Sequence, residues 1–384
     1  MPVASFAPGI LPGTDPLAWV GALEDELPAP HSPAVPELPA RGHPAGLTGR
    51  ATALLSELHT DLTSYGWRLT SGAGADHRRA ASLLRADVDV LTDVRGERAD
   101  SGTASATAPL TLFVLGPVSL CARLALPDGE KVLIDHGARR DVTDSLAAGI
   151  AELTARLRRT ALAAPADASS APMLRIVLLE PDYHRLRAGQ IPTVSGYQSI
   201  GALPRDEARA LVGRVLEQLR TQAAAAETES TDELLVDLGR APEPEHVEDL
   251  FARSETRADG FVLPVTGMDA HQWERVAELV EAGARCGAAV LSRTELAAAA
   301  GPSSTDALPA VSTLAQRVRG PWQGMGMPPA SLEAFSLTTA GAQAAGPGQL
   351  LRDAMARLSP AAALRAMTRV RDAAEALEDQ RRQG

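Results

Sequence analysis

A chain of 384 residues with a formal net charge of −11 has no basic field to draw it to nucleic acid or to an anionic membrane surface. Aromatic residues make up only 3% of it, leaving few rings to stack on bases. Cys121 and Cys286 are its two cysteines, too few for a disulfide framework or a cysteine-based metal site, and their small apolar neighbours suggest reduced, buried thiols. No stretch reaches the roughly 20 uninterrupted apolar residues of a membrane span. The opening segment carries Asp15, Glu24 and Asp25 among prolines, without a basic lead into an apolar run, which reads as cytoplasmic rather than secreted.

In chain order, a weak apolar run at Val3–Phe6 comes first, followed by a proline-rich stretch at Pro28–Pro44 that is expected to be a loop. A helix is predicted at Thr48–Thr60, a strand at Trp67–Thr70, a helix at Asp76–Leu91 and a small polar loop at Glu97–Ala108. Leu110–Leu115 is the first fully apolar strand; a helix at Ala138–Arg159, a loop at Ala161–Ala171 and a second apolar strand at Leu174–Leu179 follow. In the predicted helix Arg205–Gln222, Pro204 precedes the first turn, Asp206 and Glu207 suit its positive end, and Leu211, Val215 and Leu219 repeat on one face. Strands at Leu234–Leu238, Gly260–Val265 and Gly287–Leu291 flank a helix at Asp269–Ala284. Gly301–Pro329 reads as a loop, either a mobile lid or a surface excursion, before a strand at Phe335–Thr338 and helices at Gln349–Leu358 and Pro360–Gln383.

Apolar runs alternating with amphipathic stretches call for an α/β fold whose parallel strands are buried on both faces. Eight such runs suit a (β/α)8 TIM barrel, although periodicity alone does not separate a closed barrel from an open doubly wound sheet. The expected organisation is one domain spanning 1–384, with insertions near 28–44, 97–108, 161–171 and 301–329.

Five short segments carry more specific information: LPGTDP at Leu11–Pro16, PELPARG at Pro36–Gly42, GWRL at Gly66–Leu69, LEP at Leu179–Pro181 and IPTVSG at Ile191–Gly196. In order and spacing they resemble short actinobacterial proteins related to the C-terminal barrel of cobalamin-independent methionine synthase, a fold similar to that of uroporphyrinogen decarboxylase. That family transfers a methyl group to the thiol of homocysteine, using a zinc ion held by one His, two Cys and one acidic residue. The resemblance implies a methyltransferase of methionine biosynthesis, with 5-methyltetrahydrofolate or a methylcorrinoid as donor.

Active sites of such barrels lie beyond the C-terminal ends of the strands. Glu180 follows an apolar run directly and is expected at the barrel mouth, bound either to a ligand amine or to a structural arginine. Leu179 stands where the family has an Asp that helps hold the homocysteine amine. Gly9 and Ile10 occupy the family's carboxylate-binding Gly-Ser, with the hydroxyl missing but backbone amides able to bind an anion. Ser195 and Thr193 lie in a segment that the resemblance places beside the site, and Trp67, Arg41 and Arg50 read as architectural, the arginines through carboxylate pairs.

The zinc positions map onto Leu238 and Arg240 for His and Cys, onto the acid-free FVLPVT at Phe261–Thr266, and onto Ala340 for the last Cys. None of these can ligate zinc. His184, His246 and His271 lie apart and read as capping or surface residues. Without zinc a thiol near its ordinary pKa of about 8.5 is neither positioned nor activated. The expectation is therefore a diverged homologue of methionine synthase, a pseudoenzyme by its ligand losses, with no cofactor of its own; the alternative is a non-catalytic barrel that binds a small molecule or a partner. A decarboxylase reading rests on architecture alone. GxGxxG after a strand, GxxxxGK[ST], GxSxG and HExxH are all absent, which removes the common dinucleotide, P-loop, esterase and zincin readings.

Overall fold

Seven of the short runs become parallel strands: β1 (Ala4–Ser5), β2 (Leu110–Leu115), β3 (Leu174–Leu179), β4 (Glu233–Asp237), β5 (Gly260–Pro264), β6 (Arg285–Ala289) and β7 (Phe335–Thr338). This computed structural model describes residues 2–102, 108–162, 172–225, 232–252, 257–301, 307–346 and 348–383. The strands form one sheet in the order β1-β7-β6-β5-β4-β3-β2, every pair parallel. All residues of β2, β3 and β4 are buried, as expected of strands covered on both faces. The sheet curls on itself, because Phe6, next to β1, packs against Phe113 of β2 at 6.2 Å between ring centroids, although β1 and β2 are its two edges.

The gap between those edges is spanned by a segment expected to be only a loop. Ser32 bridges Phe6 and Ala34 bridges Thr111, both in parallel sense. Ser32 donates to Ser5 O and Ala7 donates to Ser32 O, each at 2.9 Å; on the other side Val35 donates to Thr111 O at 3.0 Å and Thr111 to Pro33 O at 2.8 Å. Pro33 and Pro36 have no N–H to give to a ladder, so the segment makes isolated bridges rather than a regular strand. The strand expected at Trp67–Thr70 lies elsewhere: Gly66–Thr70 pairs antiparallel with His59–Thr63 in a two-stranded hairpin outside the main sheet. Only Trp67 of those five residues is buried, so its apolar run reports one anchor and not a barrel strand.

Other boundaries move for local reasons. The helix expected at Thr48–Thr60 stops at Ala53 and yields to the hairpin, while that predicted from Asp76 runs over Ala75–Asp100. Val311–Gly324 is a helix within the stretch read as a lid or excursion; Gly320 and Pro321 masked an apolar face formed by Leu314, Val318 and Trp322, all buried. The helix expected at Gln349–Leu358 is a short β-bridge followed by a 3-10 turn, Leu351–Arg357. Residues 103–107, 163–171 and 302–306 of the expected loops lie outside the described residues. Helices at His136–Thr160, Arg205–Ala225, Ala270–Glu281 and Pro360–Gln383 match their predicted bounds closely. Close helix packing needs Gly149: a Cβ there would sit 1.5 Å from the backbone oxygen of Leu54. Arg41 and Arg50 meet on the buried Asp87, Arg41 through both carboxylate oxygens at 2.7 and 2.6 Å and Arg50 at 3.2 Å, tying PELPARG to the Ala75–Asp100 helix. No helix among the described residues is long and apolar enough to cross a membrane.

Candidate functional site at the C-terminal end of the strands

Successive residues of a strand point to opposite faces, so one inward residue fixes the rest. Arg175 of β3 lies over the Phe6 ring at 4.6 Å, which turns Arg175, Val177 and Leu179 inward. Glu180, one residue later, faces the other way. Its carboxylate accepts the backbone N–H groups of Val118 at 2.9 Å and Ser119 at 2.8 Å, at the N-terminus of the Pro117–Arg123 helix. The side chain is 0% exposed. Gly116 is required beside it, since a Cβ there would approach Oε1 to 2.3 Å. Burial pushes the Glu180 carboxyl up to about 7, opposed by these hydrogen bonds and that of the Ser119 side chain. The expected placement at a barrel mouth is thus corrected: Glu180 stands on the helix-covered face of the curled sheet as a helix cap, and its partners are backbone amides, not an arginine.

The inward carboxylate at this level is Asp237, the last residue of β4, which pairs with Leu179 in register. It is 1% exposed and accepts from Gly239 N at 2.8 Å and Ala342 N at 2.7 Å. Burial raises its carboxyl to about 6, with the Arg352 charge opposing the shift. Its bond to Ala342 joins the loops after β4 and β7, where Gly239, at φ +68°, leaves only 2.5 Å between a would-be Cβ and Ala342 O. The loops carrying Leu238, Arg240 and Ala340 therefore do meet. Their side chains do not form a common centre: Leu238 and Ala340 are buried apolar groups, while Arg240 turns to Glu243 in a half-exposed ion pair.

Arg352 occupies the mouth instead. The chain after β7 folds back, Arg352 N bonding Gly341 O at 3.1 Å, and its guanidinium reaches Glu37 at 2.7 Å while lying over the Phe113 ring at 5.2 Å. Arg352 is 1% exposed, and its Nε and Nη1 have no hydrogen-bond partner; the buried hydroxyls of Thr338 and Thr339, where β7 ends, are unpartnered as well. Asp237 and Arg352 were not singled out from the sequence. An acid closing the apolar run LLVD was the available signal for Asp237, whereas Arg352 sits in a segment expected to be an ordinary helix.

The remaining expected residues are dispersed. Gly9 has φ +76°, and a Cβ there would strike the Phe113 ring at 2.6 Å, so it lies tight against that ring. Ile10 is a buried bridge partner of Glu37. Ser195 is exposed, with its hydroxyl 3.1 Å from that of Thr193 in the same turn. His246 caps its helix by accepting from Glu243 N at 3.1 Å, while His184 lies on a separate short helix and His271 on a third. No group of three His, Cys, Asp or Glu side chains among the described residues is arranged to hold a metal. Both cysteines are free and buried, burial pushing their thiols upward.

No family model matches the sequence, and no curated protein does. Among solved structures, the chain is similar to a B12-independent methionine synthase from Shewanella sp. W3-18-1 in complex with selenomethionine, at a TM-score of 0.52 and 10% identity, covering 99% of this chain and 98% of that one. At that identity the likeness is one of fold: an α/β architecture with a curled parallel sheet.

Proposed function

We propose that this chain is a diverged relative of the B12-independent methionine synthases in which the mouth of a single barrel, with Ser32–Glu37 as its eighth stave, binds a small polar molecule without zinc. Zinc does not fit the residues at the family's ligand positions. Leu238 and Ala340 carry no lone pair to donate, and a guanidinium such as Arg240 stays protonated and is engaged by Glu243. Metal-assisted activation of a homocysteine thiol has no residue set to support it here, so the activity implied by the resemblance is read as replaced.

The observation carrying the binding reading is Arg352, a buried guanidinium with two unpartnered nitrogens beside the inward carboxylate of Asp237. A buried donor left unmet costs about 1–3 kcal/mol, which a ligand acceptor would recover. A cation beside an acid suits a zwitterion, and the selenomethionine in the similar structure makes an amino acid the first ligand to try. Titration calorimetry of the purified protein with L-methionine and L-homocysteine, in the presence and absence of EDTA, tests this. Binding that survives EDTA and weakens in Arg352→Lys supports the reading. Stoichiometric zinc with metal-dependent methylation of homocysteine would overturn it.

A further inference from the structure

At the opposite end of the barrel, where the strands begin, lies a cavity of about 430 Å³ that no part of the mouth site uses. Met173, Pro30, Pro109 and Ala334 supply apolar walls, Arg175 and Arg285 supply cations, and Glu233 and Glu333 supply acids. Arg175 is 4% exposed, its Nε is bound to Glu233, and its Nη1 is buried without a partner. The Phe6 ring beneath the guanidinium, at 4.6 Å, and the Glu233 contact hold the fork in place. Arg285 is oriented by donating to Glu333 O at 3.0 Å.

A fixed guanidinium with a free donor suits a planar carboxylate, whose oxygens match the fork. The size falls within the range of roughly 300–1,000 Å³ typical of small-molecule sites, and apolar walls with a few placed polar groups are their usual composition. We propose that this cavity binds a small monocarboxylate with an apolar body, its carboxylate on Arg175 and its hydrocarbon against Met173, Pro30 and Pro109. Buried polar groups seldom remain unpaired, and among the described residues lining this cavity Arg175 is the one that carries such an atom, its Nη1.

Hexanoate is the probe. Calorimetry and thermal shift on the full chain should show saturable binding by about 10 mM, the weak range expected of so small a ligand. Inorganic phosphate, which lacks the apolar body, should not displace it. Arg175→Met strands Glu233 and is open to misfolding, so the double change Arg175→Met with Glu233→Met, which removes both buried charges together, is the cleaner variant. It should fold and bind hexanoate at least about 10-fold more weakly, the loss expected of a charge-assisted hydrogen bond. Arg352→Lys, at the other end, should leave hexanoate binding unchanged. No binding to the unaltered protein, equal binding to the double variant, or displacement by phosphate would each overturn the proposal.

Discussion

The two ends of the curled sheet are built on the same plan and differ in access. At each end a buried arginine lies over a phenylalanine ring and pairs with a glutamate: Arg352, Phe113 and Glu37 where the strands end, Arg175, Phe6 and Glu233 where they begin. The two rings touch at 6.2 Å, so an arginine–phenylalanine column runs along the interior. Side-chain exposure is 1% and 4% for Arg352 and Glu37, against 5% and 11% for Arg175 and Glu233, which border the cavity. Equivalent ion pairs are thus enclosed at one end, where the chain after β7 folds back over Arg352, and border an open cavity at the other.

The sharpest test of this contrast is to remove each arginine. Arg352→Met leaves Glu37 buried beside an uncharged neighbour and should cost about 3–5 kcal/mol in chemical denaturation. Arg175→Met should cost less, about 1–3 kcal/mol, because water in the cavity can reach Glu233. Equal losses would break the contrast.

Acidity gives the next effect. Asp237 at about 6 and Glu180 at about 7 hold protons that the unfolded chain releases nearer pH 4. Between those limits the folded state binds more protons, so stability falls as pH rises, by up to about 1.4 kcal/mol per unit for each group. Unfolding midpoints measured from pH 4 to pH 8 should decline on this account, and Glu180→Gln should flatten part of the slope while leaving binding at the mouth intact. A ligand affinity that collapses in Glu180→Gln would return this residue to the site. The smallest effect belongs to Arg240→Ala, expected to change stability by less than about 1 kcal/mol, since its partner Glu243 is half exposed.

Legibility in the sequence followed burial. The strands at Leu110–Leu115 and Leu174–Leu179 were readable because residues buried on both faces leave an unbroken apolar run. The Ser32–Glu37 bridge was hidden because its prolines argue against a ladder, and here the bonds fall on the residues that retain an N–H. Trp67 misled for the converse reason: a hairpin with one anchored tryptophan imitates a short core strand. At the site, the motif LEP located the right strand end but the wrong face, since one step along a strand reverses a side chain. Arg352 could not be read at all, because what marks it, a guanidinium folded back over a ring more than 200 residues away in sequence, is a property of the tertiary fold.

The position of β1 has a temporal consequence. Ala4 pairs with Ser336, and Val3 N bonds the carboxylate of Glu378 at 2.9 Å, across a separation of 375 residues. During synthesis at about 5–20 residues per second, the first strand must wait tens of seconds for its neighbour to leave the ribosome. Through that interval β1 lacks its β7 partner on one side, and the growing chain exposes an apolar edge. The Ser32–Glu37 bridge waits only for β2, and until Thr111 is made its prolines keep it a poor template for pairing with other chains, so a feature that interrupts the finished sheet also protects the unfinished one.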